Sequence, residues 1–497
     1  MLKKYLSVKY SAIWAPLGGA LVTFSFAPFH LWPLGLLGLL IFTWLSNQSH
    51  KRPFLVGWLF GLGYFISGAY WVYISIHEHG GVPAPLAVLL MFVFTGVLSI
   101  FPALTLWLYR KLLFSGVAGA LVLPLIWMFF EWVRSWLWTG FPWLLVGYAQ
   151  IDSPLAGWLP IIGAWSTGYL VVLSATLVFF AVISTSKRDR FLPLLTVGFI
   201  FVSGVLLDAI DWVEDTGERR SVGLVQPNIP QALKWKRDQY DLIIDTMQVL
   251  TPPDVDLVVW PEASIPRSYP YSKNTLNELK KEAIRNKQDL IVGLPYIESE
   301  EKYYNSLMVL GLKEQTYFKN KLVPFGESIP LKPVLQPLIK HFDVPVANFS
   351  AGNGDAQQLY AADMKIAPMI CYEIAFGNFT AQQARNSDLL LTVSNDSWFG
   401  DSIGPLQHFQ MARVRAKEHG RYLVRATNNG VTAIVNDNGD TVVSMPQFKA
   451  GNVVGEVSLM RGSTPYNRVG DNPTVVMMLI LLGCTIAARL RKSPKIR

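Results

Sequence analysis

Apolar residues run through this chain in long blocks. From Pro53 to Leu108 the only Asp, Glu, Lys or Arg is Glu78, and from Pro473 to Ala488 there is none. Crossing the hydrocarbon core of a bilayer takes about 20 apolar residues, so blocks of this length predict transmembrane helices. Eight spans are predicted, near 10–27, 31–46, 54–76, 83–108, 113–131, 160–184, 191–207 and 473–488. The first two are short and interrupted by proline in APFHLWP (Ala27 to Pro33). More apolar runs follow the first one, and no small-residue cleavage site leads into a soluble chain. It is therefore read as a span and not as a signal peptide.

Between Glu214 and Asn472 the pattern changes to that of a globular protein. RRSVGLVQPNI (Arg219 to Ile229), VDLVVWPEAS (Val255 to Ser264), DLIVGLPYI (Asp289 to Ile297), KIAPMICYE (Lys365 to Glu373) and DLLLTVSND (Asp388 to Asp396) are brief apolar runs closed by polar, Pro or Gly residues. Such runs predict buried strands. SKNTLNELKKEAIRNK (Ser272 to Lys287) has the cap and apolar spacing of a helix. Strands alternating with helices predict a layered α/β domain. The expected architecture is an α-helical membrane bundle of about eight transmembrane helices plus that α/β domain. The division is 1–212 for helices one to seven, 213–472 for the inserted domain, and 473–497 for the last helix and a basic tail. Functional residues of α/β domains gather just past strand ends, where Glu262, Cys371 and Asn395 with Asp396 stand.

Composition agrees: 51% of residues are hydrophobic and 16% charged, against about a quarter charged in soluble domains. Basic residues collect at alternate span ends. Lys3 and Lys4 precede the first span; Lys51 and Arg52 follow the second, and Arg110 and Lys111 the fourth. Lys187, Arg188 and Arg190 follow the sixth; Arg489, Arg491, Lys492, Lys495 and Arg497 follow the eighth. Basic loops stay on the cytoplasmic side, so both termini are expected there and the inserted domain outside the cytoplasm. These flanks, facing anionic headgroups, account for the net charge of +8, and no nucleic-acid partner is implied.

The orientation sharpens the meaning of the cysteines, of which there are two. Cys484 lies within the last span, so Cys371 is expected to lack a disulfide partner in a compartment that oxidises thiols. Cys371 is then either an inert buried residue or a nucleophile. A free thiol, with a pKa near 8.5, needs help to react. A carboxylate can take its proton, and an ammonium can favour the thiolate and then an oxyanion. WPEASIP offers Glu262, and YFKNKLVPFGESIP (Tyr317 to Pro330) offers Lys319, Lys321 and Glu327. Each has a plainer reading: Glu262 as a helix-capping surface carboxylate, the lysines as a solvated loop. Glu, Lys and Cys together suffice for acyl transfer through a thioester. A Cys–His arrangement using His341, His408 or His419 is the alternative.

VVWPE, YFKNKLVPFGE and MICYE, in this order and about fifty residues apart, resemble the Glu–Lys–Cys triad of the nitrilase superfamily. Such a domain inserted before the last of eight spans resembles the apolipoprotein N-acyltransferase family of Gram-negative bacteria, and the likeness covers nearly the whole chain. EWVRSWLWTGFPW (Glu131 to Trp143), VQPNIPQ (Val225 to Gln231) and SNDSWFG (Ser394 to Gly400) also fit that family. The resemblance implies an αββα sandwich, a bacterial inner-membrane location with the catalytic domain on the periplasmic side, and no metal or other cofactor. It implies that Cys371 takes an acyl chain from a phospholipid, such as the sn-1 chain of phosphatidylethanolamine, with Glu262 as base and Lys319 at the oxyanion. The acyl chain then passes to the α-amino group of a diacylated apolipoprotein. The expected partners are thus this donor, this acceptor and the membrane, and the protein is expected to be a monomer. Supporting roles fall to Glu327 beside Lys319, to Tyr372 and Glu373 around the nucleophile, and to Trp235 as a lid-arm residue or an interfacial anchor. Glu131 and Arg134 are expected to form an ion pair at a helix end, with contact to substrate as the alternative. The aromatic segments Glu131 to Trp143 and Ser394 to Gly400 are expected to line a lipid-accessible opening.

Two rival readings use the same residues. One is nitrile or amide hydrolysis on a membrane anchor, for which one span would suffice. The other is a non-catalytic scaffold, against which the intact Glu262, Lys319 and Cys371 argue.

Overall fold

The computed structural model describes residues 10–48, 51–112, 116–300, 302–329 and 348–492. Lys3, Lys4, His341, Lys495, Arg497 and the start of the predicted span at 113–131 lie outside the described residues. The chain divides into two units: Met1–Tyr73, Pro83–Ile210 and Val469–Arg497 form one, and Ile74–Val82 with Asp211–Arg468 the other.

The first unit is helical because its apolar blocks leave the backbone no better way to satisfy its polar groups in a low-dielectric medium. Among the described residues five helices are long and apolar enough to cross a membrane: Ala84–Leu112, Gly119–Thr139, Ala156–Ile183, Lys187–Asp208 and Asn472–Arg491. The pair Pro53–Ala69 and Trp71–His79, bent by 57°, makes a sixth if it is one crossing. Ser11–Thr23 and Trp32–Asn47 are apolar helices of 13 and 16 residues. At a rise of 1.5 Å per residue they reach only about 20 and 24 Å. The first predicted span is therefore shorter as a helix than the apolar text, because the chain leaves the helix at Phe24 and turns through APFH, whereas the second keeps its predicted 16 residues.

Helix Lys187–Asp208 presents Phe191, Phe199 and Leu206 outward, each more than 60% exposed, a surface suited to lipid and not to water. Elsewhere the helices meet through small residues. A Cβ on Gly19 would stand 2.0 Å from the Phe60 carbonyl oxygen, and one on Gly63 2.0 Å from that of Pro16. Only glycine lets these backbones touch.

The second unit is built round an α/β sandwich. Its described strands, in chain order, are β1 (Val213–Gln226), β2 (Leu257–Val259), β3 (Asp289–Ser299), β4 (Lys302–Leu310), β5 (Gln315–Phe318), β6 (Leu359–Ala361), β7 (Met364–Ile370), β8 (Leu389–Ser394), β9 (Leu423–Thr427), β10 (Ala433–Val435), β11 (Thr441–Ser444) and β12 (Gly451–Gly462). They form two six-stranded sheets, ordered β12-β1-β2-β3-β4-β5 and β11-β10-β9-β8-β7-β6. At the centre of each sheet three strands run parallel, β1-β2-β3 and β7-β8-β9.

The period-two alternation of side chains assigns each strand residue to a layer. Leu257, Val259, Ile291, Ile366, Ile370, Leu391 and Val393 point into the core between the sheets. Val258, Leu290 and Val292 point the other way, under helices Tyr240–Leu250 and Tyr269–Arg285. Ala367, Met369 and Leu390 point outward on the second sheet and meet Ala412 and Ala416 of helix Gly404–His419. Both faces of the central strands are thus covered, which is why they read as continuous apolar runs.

Candidate active site

The sandwich brings together the ends of strands from both sheets. Glu262 follows β2, Asn305 sits within β4, Lys319 follows β5, Cys371 follows β7, and Asn395 follows β8. Glu262 is 8% exposed and its carboxylate is held at both oxygens. Oε1 accepts from Asn305 Nδ2 at 2.7 Å and stands 3.5 Å from Lys319 Nζ; Oε2 accepts from the Asn395 backbone N–H at 2.8 Å. Buried Lys234 donates its ammonium to the Glu262 carbonyl at 3.0 Å. Burial pulls Lys234 down to about 8, although Glu262 opposes the shift.

Lys319 is buried against two carboxylates, at 2.8 Å from Glu327 Oε1 as well as 3.5 Å from Glu262. Burial works against its charge, but Glu327, Glu262 and Cys371 together outweigh burial and hold it above the usual lysine range. It is an ammonium at neutral pH. Asn305 Nδ2 bridges the carboxylates, with 3.0 Å to Glu327 Oε1. Glu327 Oε2 accepts from the Val323 N–H at 2.8 Å, which ties it to its own loop. The cluster has two formal negative charges around one ammonium, and the amide of Asn305 supplies the missing donors.

Cys371 begins a short helical turn, Cys371–Ala375, in the left-handed region at φ +54°. A non-glycine residue there carries strain that its surroundings must hold. Part of Cys371 is open to solvent, yet protein closes round the sulfur. Burial pushes the thiol up most, Glu262 adds to this, and Lys319 pulls the other way; the balance lies well above the ordinary range. The resting sulfur is a thiol and needs a base at the moment of attack.

Behind the nucleophile lies a buried polar chain. His408 Nε2 is 3.1 Å from the Cys371 carbonyl, and Nδ1 is 3.1 Å from both Asp396 Oδ1 and Arg425 Nη2. Arg425 also reaches Asp396 Oδ2 at 2.7 Å. Burial and Arg425 push His408 down, while Asp396 and the Cys371 carbonyl push it the other way. Burial opposes the charge of Asp396, but Arg425, His408 and Ser394 hold it below the usual carboxylate range. Both ring nitrogens are thus engaged away from the thiol, so His408 is not placed as its base. His419 pairs with Asn467 at 3.0 Å, and His341 lies outside the described residues.

Glu373 joins the nucleophile to the lysine loop. Its Oε2 accepts from the Ile370 N–H at 2.7 Å and the Tyr317 hydroxyl at 2.8 Å; Oε1 accepts from the N–H groups of Asn320 at 2.6 Å and Lys321 at 3.1 Å. Tyr372 is buried with its ring edge on Phe376. Trp235 ends the short helix Gln231–Lys234 and is 48% exposed. Glu131 and Arg134, in the helical unit, stand 3.9 Å apart. Arg134 directs its guanidinium mainly at the carbonyls of Phe141, Trp143 and Leu144, bracing the non-helical stretch beyond the helix.

Sequence reasoning overlooked Asn305 and Lys234. Asn305 had a signal, a lone amide inside the apolar strand KYYNSLMVL. Lys234 had none, because a lysine in a polar stretch reads as surface.

Residues 18–177 match the family model described as the apolipoprotein N-acyltransferase N-terminal domain, and residues 221–464 match that of carbon-nitrogen hydrolases. The chain is 40% identical over 487 residues to the apolipoprotein N-acyltransferase of Azotobacter vinelandii, covering 95% of this chain and 94% of that one. It is 38% identical over 488 residues to the apolipoprotein N-acyltransferase of Methylococcus capsulatus, covering 96% of each. Among solved structures it is similar to a nitrilase-superfamily protein of Saccharomyces cerevisiae, 18% identical with a TM-score of 0.37, covering 50% of this chain and 93% of that one.

Proposed function

The chain belongs to the apolipoprotein N-acyltransferase family, and on that premise we propose that it moves an acyl chain from a membrane phospholipid, through a thioester on Cys371, to the α-amino group of the diacylglyceryl-cysteine of a lipoprotein. The observation that carries this reading is the meeting of Glu262, Asn305, Lys319 and Glu327 in one cluster, of which Glu262 and Lys319 act on the Cys371 sulfur.

Cys371 Sγ attacks the ester carbonyl as Glu262 takes its proton. Because the thiol sits high, attack and proton transfer are coupled, and the base is required for each turnover. Lys319 faces the oxyanion of the tetrahedral intermediate with its charge already set, alongside a backbone N–H near Tyr372. The C–O bond breaks, and Glu262 passes its proton to the departing lysophospholipid. The amine then attacks the thioester, Glu262 takes one of its protons, the C–S bond breaks, and the thiolate recovers a proton. This is ping-pong chemistry with one carboxylate serving both halves. Glu327 holds Lys319, and Glu373 holds the two loops in register.

Each buried methylene of a lipid contributes about 0.8 kcal/mol to membrane retention, so both substrates stay in the bilayer and the enzyme must come to them. The same reading gives eight apolar helices as eight crossings, a catalytic domain over about 213–472 on the periplasmic face of the inner membrane, and cytoplasmic termini, from the basic flanks. Mass spectrometry after incubation with phosphatidylethanolamine tests the chemistry. A fatty acyl mass on the Cys371 peptide, removed by hydroxylamine, is expected. An unmodified peptide, or full transfer by Cys371→Ala, overturns it.

A further inference from the structure

The carboxylate of Glu262 is shared by two half-reactions that differ in one respect. The donor ester presents only acceptor oxygens at its reacting centre, whereas the acceptor amine brings N–H groups. The residue bonded to Glu262 Oε2 is Asn395, through its backbone N–H at 2.8 Å. Asn395 is 7% exposed, and its Nδ2 donates to Gln231 Oε1 at 2.8 Å. Its Oδ1 is buried and has no hydrogen-bond partner among the described residues. A buried amide oxygen left unpaired is costly and calls for a partner.

A second amide pins the two segments that meet here. Asn428 Oδ1 accepts from the Ile229 N–H at 3.0 Å, and Asn428 Nδ2 donates to the Ile229 carbonyl and to Ser397 Oγ, each at 2.8 Å. VQPNIPQ and SNDSWFG, two segments with no assigned chemistry, are thus tied together through Asn428 and through the Gln231–Asn395 pair.

We propose that Asn395, oriented by Gln231, is the seat of the acceptor amine: its Oδ1 accepts the N–H that the nitrogen keeps while Glu262 removes the one it loses. When a neutral amine attacks the thioester, the N–C bond forms and the nitrogen carries two hydrogens and a positive charge. One proton goes to Glu262 and on to the thiolate as the C–S bond breaks; the other remains as the amide N–H of the product. The inference rests on the acyl-transfer reading and adds a residue specific to its second half.

The test separates the halves with Asn395→Leu, which removes the amide while keeping the backbone N–H on Glu262. Purified full-length enzyme is loaded from phosphatidylethanolamine, and lysophospholipid release and acylated Cys371 are followed. It is then chased with a synthetic peptide bearing an N-terminal S-diacylglyceryl cysteine. A hydrogen bond to a developing ammonium predicts transfer slower by about 10- to 100-fold. Loading should change by less than about threefold, so acylated Cys371 accumulates, and hydroxylamine should still discharge it from the denatured protein at the wild-type rate. Loading that slows in step with transfer, transfer at the wild-type rate, or slower hydrolysis with normal aminolysis each overturns the proposal. If Asn395→Leu does not fold, Gln231→Leu is used: accumulation of acyl-enzyme on the chase supports the proposal, and normal transfer overturns it. Wild-type enzyme that never loads removes the acyl-transfer reading itself, a different result from all of these.

Discussion

Replacing Glu373 by glutamine isolates the strut between the nucleophile and the lysine loop. Four donors converge on its two oxygens, from Ile370, Tyr317, Asn320 and Lys321. Glutamine keeps one oxygen. Placed at the Oε1 position it still serves Asn320 and Lys321, and the Tyr317 hydroxyl can turn to accept from the new NH₂. The Ile370 N–H is left facing a donor, at a cost of about 1–3 kcal/mol. Against this stands the charge. Burial pushes Glu373 up to about 7, although the Ile370 and Asn320 N–H groups, Lys319 and Tyr317 resist. The folded state therefore holds this proton where the unfolded chain has lost it. Wild-type stability falls as pH rises from about 4.5 to about 7, by about 3 kcal/mol in all. Glutamine has no such dependence. The variant should be the weaker protein at pH 5, and the gap should close or reverse by pH 8. Hydrogen–deuterium exchange over the peptides around Phe318–Lys321 and Ile370–Ala375, at pH 5, 6, 7 and 8 with correction for intrinsic exchange, reads the local opening free energy. A wild-type-to-variant difference that stays constant across this range would refute the reasoning.

Glu262→Gln should reduce acyl loading by about 10²- to 10⁴-fold while shifting alkylation of Cys371 by iodoacetamide to lower pH, since Glu262 is, after burial, what raises the thiol. An unchanged alkylation profile would contradict that charge coupling. Lys319→Met leaves Glu262 and Glu327 without their cation and should cost about 3–5 kcal/mol in stability, seen as a lower thermal midpoint; a midpoint equal to wild type would show that the pair carries no such weight. Trp235→Ala should change stability by less than about 0.5 kcal/mol because the ring is half exposed. A loss of transfer at an unchanged thermal midpoint would then place that ring on a substrate, and unchanged transfer would leave it as a surface residue.

Much of the candidate site could be read from the chain because α/β strands end where polar residues begin. Glu262, Cys371 and Asn395 each follow an apolar run that reads as a buried strand, and the charge-free blocks likewise read as helices in lipid. What the linear text could not hold is the set of contacts made between strands distant in sequence. Asn305 becomes the bridge between two carboxylates only when β4 lies between β3 and β5, and Lys234 becomes buried only when its helix folds back on the Glu262 carbonyl. His408, a plausible base by type, was directed by tertiary packing to the Cys371 carbonyl. The left-handed turn at Cys371 is likewise invisible in MICYE, since no residue type there marks a positive φ. Residue type and burial pattern are local properties of the chain, whereas hydrogen-bond direction and charge pairing exist only once the sheets have stacked.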